Sequence, residues 1–429
     1  MGVMLDQPLI FRVRQKLDSP VLADIPGEVE AQLSGLSLGT KVQPGQTVAI
    51  TAGSRGIANV RDIIKAVVDH FKGLGASPFL VPSMGSHGGA TAEGQRRIIE
   101  SYGMTEEYCG CPIRASMETV VVCEAPEGYP VYFDKQAFEA DHVVVCNRIK
   151  PHTLFIGDIE SGLMKMMLIG LGKRDGAEIY HRAIKDYSFG QIVRSVAKQV
   201  LSRCKILAGV GIVENGYAQT AEIQALPPEN FEEGEKVLLR RAKQWLPRLP
   251  FETVDILLVD EIGKNLSGSG LDLNVVGRKH LGHFPKEDVT PRVRMIAVRD
   301  LSELTHGSAV GIGAVEFCHS RALEKMDVAM TRVNALTGGF YMEAMLPLDY
   351  PSDRELIDVM LTQIGLNDPP DAKLLWIRNT LDLAEVECSK AYLEEARARD
   401  DLEVLCEPRA FEFDADGNLD AKLWPRSPN

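Results

Sequence analysis

The feature that most constrains this chain is its rhythm, in which short runs rich in β-branched residues alternate with stretches whose apolar residues recur at helical spacing. Thr47–Thr51 reads as a strand and Ala52–Gly56 as a turn. From Ala58 onward, Ile63, Ile64, Val67, Val68 and Phe71 share one helical face, and Gly73 and Gly75 suit a left-handed cap at its end. A strand at Pro78–Pro82 empties into a loop, Ser83–Ala90, and Thr91 is placed to cap a helix running to Tyr102. Val120–Cys123, His142–Cys146 and Lys205–Val213 read as further strands and Ser188–Arg203 as a helix. Strands that are almost wholly apolar must be covered on both faces, so the pattern predicts an α/β fold with a largely parallel sheet.

A proline-punctuated stretch, Pro247–Pro250, precedes a new strong strand at Val254–Val259 and marks a domain boundary. Beyond it, strands at Val293–Val298 and Lys373–Ile377 and helices near Arg321–Met330 and Asp353–Gly365 predict a second α/β domain. The expected organisation is therefore residues 1–250 and 251–429, with a cleft between them. A length of 429 residues, 45% of them hydrophobic, suffices for two such cores.

A net charge of -13 argues against a nucleic-acid surface, which needs clustered Lys and Arg. The N-terminal residues lack a basic start followed by an apolar core, and no stretch approaches the roughly 20 apolar residues that span a bilayer. The expectation is a cytoplasmic protein with no nucleic-acid or membrane partner. The eight cysteines include no CxxC pair, and Cys123, Cys146 and Cys204 lie in apolar runs, which predicts reduced, buried thiols.

The turns after three predicted strands carry Arg55, His87 and His152, and open α/β sheets bind ligands where loops leave the carboxyl ends of their strands. Arginine's planar fork suits a carboxylate, and histidine suits proton transfer near neutral pH. Lys165 sits among Leu163, Met164, Met166, Met167 and Leu168, where an unpaired ammonium would be costly to bury. His181 follows sixteen residues later. No single one of these residues is specific, since histidines after strands commonly bond backbone and helical lysines are commonly solvated.

The segment Asn147–His181 (NRIKPHTLFIGDIESGLMKMMLIGLGKRDGAEIYH) resembles the cofactor-carrying segment of the nickel-pincer lactate racemase family. By that resemblance Lys165 would form a thioamide bond to a pyridinium mononucleotide that grips nickel, and His181 would complete the metal's coordination. Arg55 would hold the substrate carboxylate, while His87 and His152 would serve as the paired acid and base. The resemblance implies a racemase or epimerase that interconverts a 2-hydroxy acid by reversible hydride transfer through a 2-keto acid. The nickel-pincer nucleotide and the proteins that synthesise it would be its cofactor and maturation partners.

The C-terminal half offers Lys264, Asp272, Asn274, Arg278 and Lys279 around a glycine-rich turn, of which Arg278 and Lys279 are the candidate substrate contacts. Val276 and Gly277 stand where the family would place a tyrosine and a glutamine, and Ala52 stands where it tends to be acidic. A longer stretch between His152 and Lys165 brings in Asp158 and Glu160. These departures point to a 2-hydroxy acid larger than lactate or differently charged. Two other readings use the same residues: a divalent-metal hydrolase or lyase with His87, His152 and His181 as ligands, and a non-catalytic protein that binds a cofactor or small acid. His280-x-x-His283 is the one close histidine pair, without the third ligand of a zinc site.

Overall fold

The computed structural model describes residues 5–53, 56–279, 283 and 289–420. It is an α/β protein of two compact units, one formed by Ser19–Leu246 and the other by Met1–Asp18 together with Pro247–Asn429. The division corrects the expected contiguous residues 1–250. The first strand, β1 (Ile10–Gln15), with Phe11 and Val13 fully buried, pairs antiparallel with strands from the far end of the chain instead of with the sheet that follows it in sequence.

The unit Ser19–Leu246 is built on β2 (Thr47–Ala52), β3 (Ser77–Pro82), a small hairpin of β4 (Thr119–Glu124) and β5 (Pro130–Asp134), then β6 (His142–Arg148), β7 (Ile206–Glu214) and β8 (Thr220–Leu226). The main sheet runs β3-β2-β6-β7-β8 and is parallel except for the β7–β8 pair. Each parallel strand is buried along nearly its whole length, which is why its sequence is an unbroken apolar run. Ile63, Ile64, Val67, Val68 and Phe71 all enter the core from the helix Val60–Gly73, and Gly75 takes the expected left-handed conformation. The Thr91 side chain accepts a hydrogen bond from Gly94 N and caps the helix Ala92–Ser101, as its position predicts. Cys146 and Cys204 are buried, whereas Cys123 is only half-buried on the hairpin.

The other unit is an eight-stranded sheet containing β9 (Thr253–Ile262), β10 (Arg292–Leu301), β11 (Phe317–His319), β12 (Leu348–Tyr350), β13 (Leu374–Ile377), β14 (Glu385–Ser389) and β15 (Leu402–Val404). Its order is β12-β11-β10-β9-β13-β14-β1-β15, parallel from β12 to β13 and antiparallel beyond. The single helix expected near Arg321–Met330 is two, Ser320–Glu324 and Val328–Gly338, because the Asp327 side chain accepts from Met330 N and starts a new helix. Among the described residues no helix is long and apolar enough to cross a membrane.

Candidate active site

In the order β3-β2-β6, the chain steps from β2 to one neighbour and later returns to the other, so the sheet's topological switch point falls between β2 and β6. Loops leaving that point are where α/β sheets hold ligands. The three parallel strands end on one sheet edge, and the loops after them carry Gly53, His87 and His152. Arg55, expected in the first of these loops, lies outside the described residues.

Lys165 reaches this edge on a helical turn, Leu163–Lys165, that continues as a π-turn over Met166–Gly170, with Leu171 N donating to Met166 O at 2.9 Å. Such wide turns break the regular helical ladder and often mark functional sites. Two glycines let the loops press against it. A side-chain carbon at Gly53 would stand 3.5 Å from Met166 Cε, and one at Gly85, where φ is +62°, would stand 3.1 Å from Ile169 Cγ2. The Lys165 turn therefore packs between the loops that follow β2 and β3. The neighbouring Leu163, Met164, Met166 and Met167 are buried and Lys165 is half-buried, so the side chains flanking the lysine are core and its own is not.

One aromatic ring joins two of the candidate residues. The Lys165 Nζ lies 5.9 Å from the centre of the Phe155 ring, near the outer limit of a cation–π contact, and the His152 ring stacks on the same phenyl at 4.2 Å. Phe155 in turn stacks on Phe189 at 4.2 Å. His152 Nδ1 accepts from the backbone N–H groups of Leu154 and Phe155 at 3.1 and 3.2 Å, so the neutral ring carries its proton on Nε2.

Sequence reasoning did not find what holds these groups. Glu160, fully buried, accepts from His152 N at 2.8 Å and pairs with Lys243 at 2.6 Å. Asp158 is bonded to Arg194 at 2.7 Å. The two acids of the longer segment thus brace the His152 loop. Glu235, on the helix Phe231–Trp245, accepts from Met164 N at 2.8 Å and caps the Lys165 turn. Burial raises its carboxyl to about 7, against the lowering effect of the Met164 and Leu163 amides. Gly162 is required there, because a Cβ would stand 2.6 Å from the Glu235 carboxyl carbon.

A pH prediction follows for Glu235. Its folded value lies above the ordinary carboxyl value of 4.5, so its contribution to stability is complete below about pH 4.5 and is lost as pH rises through about 7. The swing is on the order of 3 kcal/mol. Glu235→Gln is expected to flatten the stability profile between those limits, read by denaturation at a series of pH values. An unchanged slope would show that Glu235 does not titrate there.

His87 sits in the loop after β3, half-buried, between three residues with positive φ on its C-terminal side, Gly88, Gly89 and Ala90, and Gly85 before it. His181 is in the last turn of the helix Lys173–Ala183, also half-buried. His87, His152, Lys165 and His181 all belong to the unit Ser19–Leu246.

The candidates in the other unit are placed differently. Arg278 is fully buried, and its guanidinium donates to Val293 O at 2.6 Å, Arg294 O at 3.1 Å and Glu316 at 3.2 Å. That is the setting of a structural cation, with two backbone carbonyls and one carboxylate around the guanidinium. Lys279 is half-buried. Asp272 Oδ1 accepts from Asn274 N and Nδ2 at 3.0 and 2.8 Å, so these two residues stabilise their own turn. His280 lies outside the described residues, and His283 Nδ1 pairs with Glu316 at 3.0 Å.

Residues 31–189 match the model of the lactate racemase N-terminal domain family. The match covers well under half of the 429-residue chain. The matched residues include Arg55, His87, His152, Lys165 and His181. Among solved structures, the lactate racemase apoprotein from Thermoanaerobacterium thermosaccharolyticum aligns with a TM-score of 0.55 and 12% identity, over 89% of this chain and 95% of its own. That likeness shows the fold, and it extends beyond residues 31–189. A protein from Thermotoga maritima aligns with a TM-score of 0.48 and 11% identity, over 66% of this chain and 72% of its own. No curated protein sequence matches the chain.

Proposed function

We propose that this protein is a nickel-pincer-dependent racemase or epimerase of a 2-hydroxy acid. The observation that carries the reading is the shared Phe155 ring, which brings the candidate anchor Lys165 and the candidate acid/base residue His152 onto one aromatic surface at the carboxyl edge of the sheet. The match of residues 31–189 to the lactate racemase N-terminal domain supports it. The residues fit the cofactor. Lys165 is a primary amine on a turn embedded in core, able to become a thioamide nitrogen, and His181 supplies one imidazole on the next helix. When bound, the group supplies a hydride acceptor and donor, which avoids removing a weakly acidic C–H as a proton.

The chain's own residues do the rest. Arg55 holds the substrate carboxylate in a bidentate grip. His87 takes the hydroxyl proton of one stereoisomer as the substrate becomes a planar 2-keto acid. His152 first holds the substrate oxygen by donating a hydrogen bond from Nε2–H, with no proton transferred, because its Nδ1 is engaged by two backbone amides. To act as base for the opposite stereoisomer, His152 must release those amides and move its proton to Nδ1. The Phe155 and Phe189 rings shield that side of the site from water.

The conventional metal-hydrolase alternative finds no support, because among the described residues His87, His152 and His181 do not converge as a group of metal ligands. The test is production in a host that makes the nickel-pincer nucleotide, followed by nickel quantitation, intact-protein mass and a stereoisomer assay across a panel of 2-hydroxy acids. One nickel per chain, a covalent mass addition and interconversion of at least one substrate are expected. His87→Ala should keep metal and mass addition while losing turnover by about 10²- to 10⁴-fold, the usual worth of a general base. Zinc in place of nickel with no added mass would overturn the proposal.

A further inference from the structure

Beneath the His87 loop lies a buried polar network that none of the chemistry above uses. Lys173 is fully buried at the first turn of the helix that carries His181, and it adopts φ +55°, a left-handed conformation costly for a residue with a side chain. Its Nζ pairs with Asp134, itself fully buried, at 2.9 Å, donates to Pro82 O, and lies 3.4 Å from Gln95 Oε1. Gln95, on the helix Ala92–Ser101 and also fully buried, donates through Nε2 to Gly85 O at 2.8 Å and His87 O at 3.3 Å. Asp134 Oδ1 accepts from Ala137 N at 2.9 Å, which fixes the end of β5.

These bonds meet four separate pieces of chain: the end of β3 with the His87 loop, the helix behind it, the end of β5, and the helix that carries His181. A buried lysine is tolerated when its charge is paired and its protons are taken up, and here a carboxylate, a carbonyl and an amide oxygen do so. The two loop carbonyls that accept from Gln95 belong to a turn with four residues at positive φ, whose own backbone bonds are those of His87 N to Met84 O and of Ala90 N to Ser86 O and His87 O. From this geometry we infer that Lys173 and Gln95 are positioning residues, fixing the His87 loop against the helix that presents His181 so that acid/base and metal-ligating imidazoles keep a constant relation. The inference rests on the proposed roles of those two histidines.

Gln95→Met tests it, since methionine keeps length and bulk while removing both donors to the loop and the acceptor near Lys173. In the loaded enzyme kcat is expected to fall about 10- to 100-fold, the scale of a small misplacement of a reacting group, with KM and nickel content within twofold. The pH profile of kcat should shift with it, which loss of stability alone would not produce. In the cofactor-free protein, amide exchange of residues 83–90 should quicken at least about 10-fold, while exchange in β9 stays unchanged. The double variant Lys173→Met with Asp134→Asn removes both buried charges together and serves as the second probe, with the same expected pattern. If wild type turns over and both variants keep kcat and loop exchange within twofold, the inference falls alone. If wild type interconverts no 2-hydroxy acid, the functional proposal fails, and the exchange measurement still decides whether the network holds the loop.

Discussion

Lys165→Ala is expected to strip the cofactor and the activity together. In protein matured with the nickel-pincer nucleotide, the wild-type chain should hold one nickel and carry its mass addition on the peptide containing Lys165, and the alanine variant should show neither. Turnover should fall on the order of 10⁴-fold or more, because no other group replaces a covalent tether. The fold should survive the change. Lys165 is half-buried and its ammonium meets the Phe155 ring near the contact limit, while the packing of the turn comes from Leu163, Met164, Met166 and Met167. Lys165→Arg sharpens the result: it keeps a cation over the ring but offers a guanidinium in place of a primary amine, so it should lose cofactor as completely as alanine. An arginine variant that retained nickel and turnover would make the lysine an electrostatic contact and remove the proposed mechanism, as would normal activity in the alanine variant.

What the sequence reveals about this site follows from which interactions are local. The strands β2, β3, β6 and β7 are legible because each is an apolar run covered on both faces, and the helix Val60–Gly73 because its apolar residues repeat on one stripe. The loops bearing His87 and His152 follow from those strands. What brings the candidates onto one surface does not. Phe155 reads as an ordinary apolar residue until the turn folds it between His152 and Lys165. Glu235 lies seventy-one positions from the Met164 amide it accepts from, and Asp134 thirty-nine from Lys173, separations that no periodicity encodes. An acidic residue on an otherwise apolar helical face, as Glu235 is beside Leu238, Leu239 and Ala242, was the one available signal of a buried carboxylate. The strand β1 was missed for the same reason: its partners β14 and β15 are supplied more than 360 residues later. The burial of Arg278 was not legible either, since a cation beside a glycine-rich turn reads as exposed, yet backbone carbonyls and Glu316 surround it.

Asp353→Ala is expected to cost the unit containing β9–β15 about 3–5 kcal/mol, the penalty for leaving a buried charge without its partner. Asp353 is almost fully buried and accepts from Arg299 Nε and Nη2 at 3.0 and 2.7 Å, from Arg321 at 3.0 Å and from Leu419 N at 2.9 Å. Burial alone would raise its carboxyl, but the Arg299 guanidinium, the Leu419 amide and Arg321 hold it below its ordinary value of 3.8. Its contribution is therefore complete above about pH 4 and is lost as pH falls through the depressed folded value. The alanine variant leaves Arg299 with Asp260 and the Leu419 carbonyl, and Asp260 is shared with the Trp376 indole at 2.6 Å. That indole makes the measurement local: with Trp245 and Trp424 replaced by phenylalanine, Trp376 fluorescence reports denaturation of its own unit. The variant's midpoint should drop at neutral pH and converge toward wild type in acid. A loss below about 1 kcal/mol at pH 7, or a gap that does not narrow in acid, would mean that the Arg299–Asp353 pair does little more than offset its own desolvation.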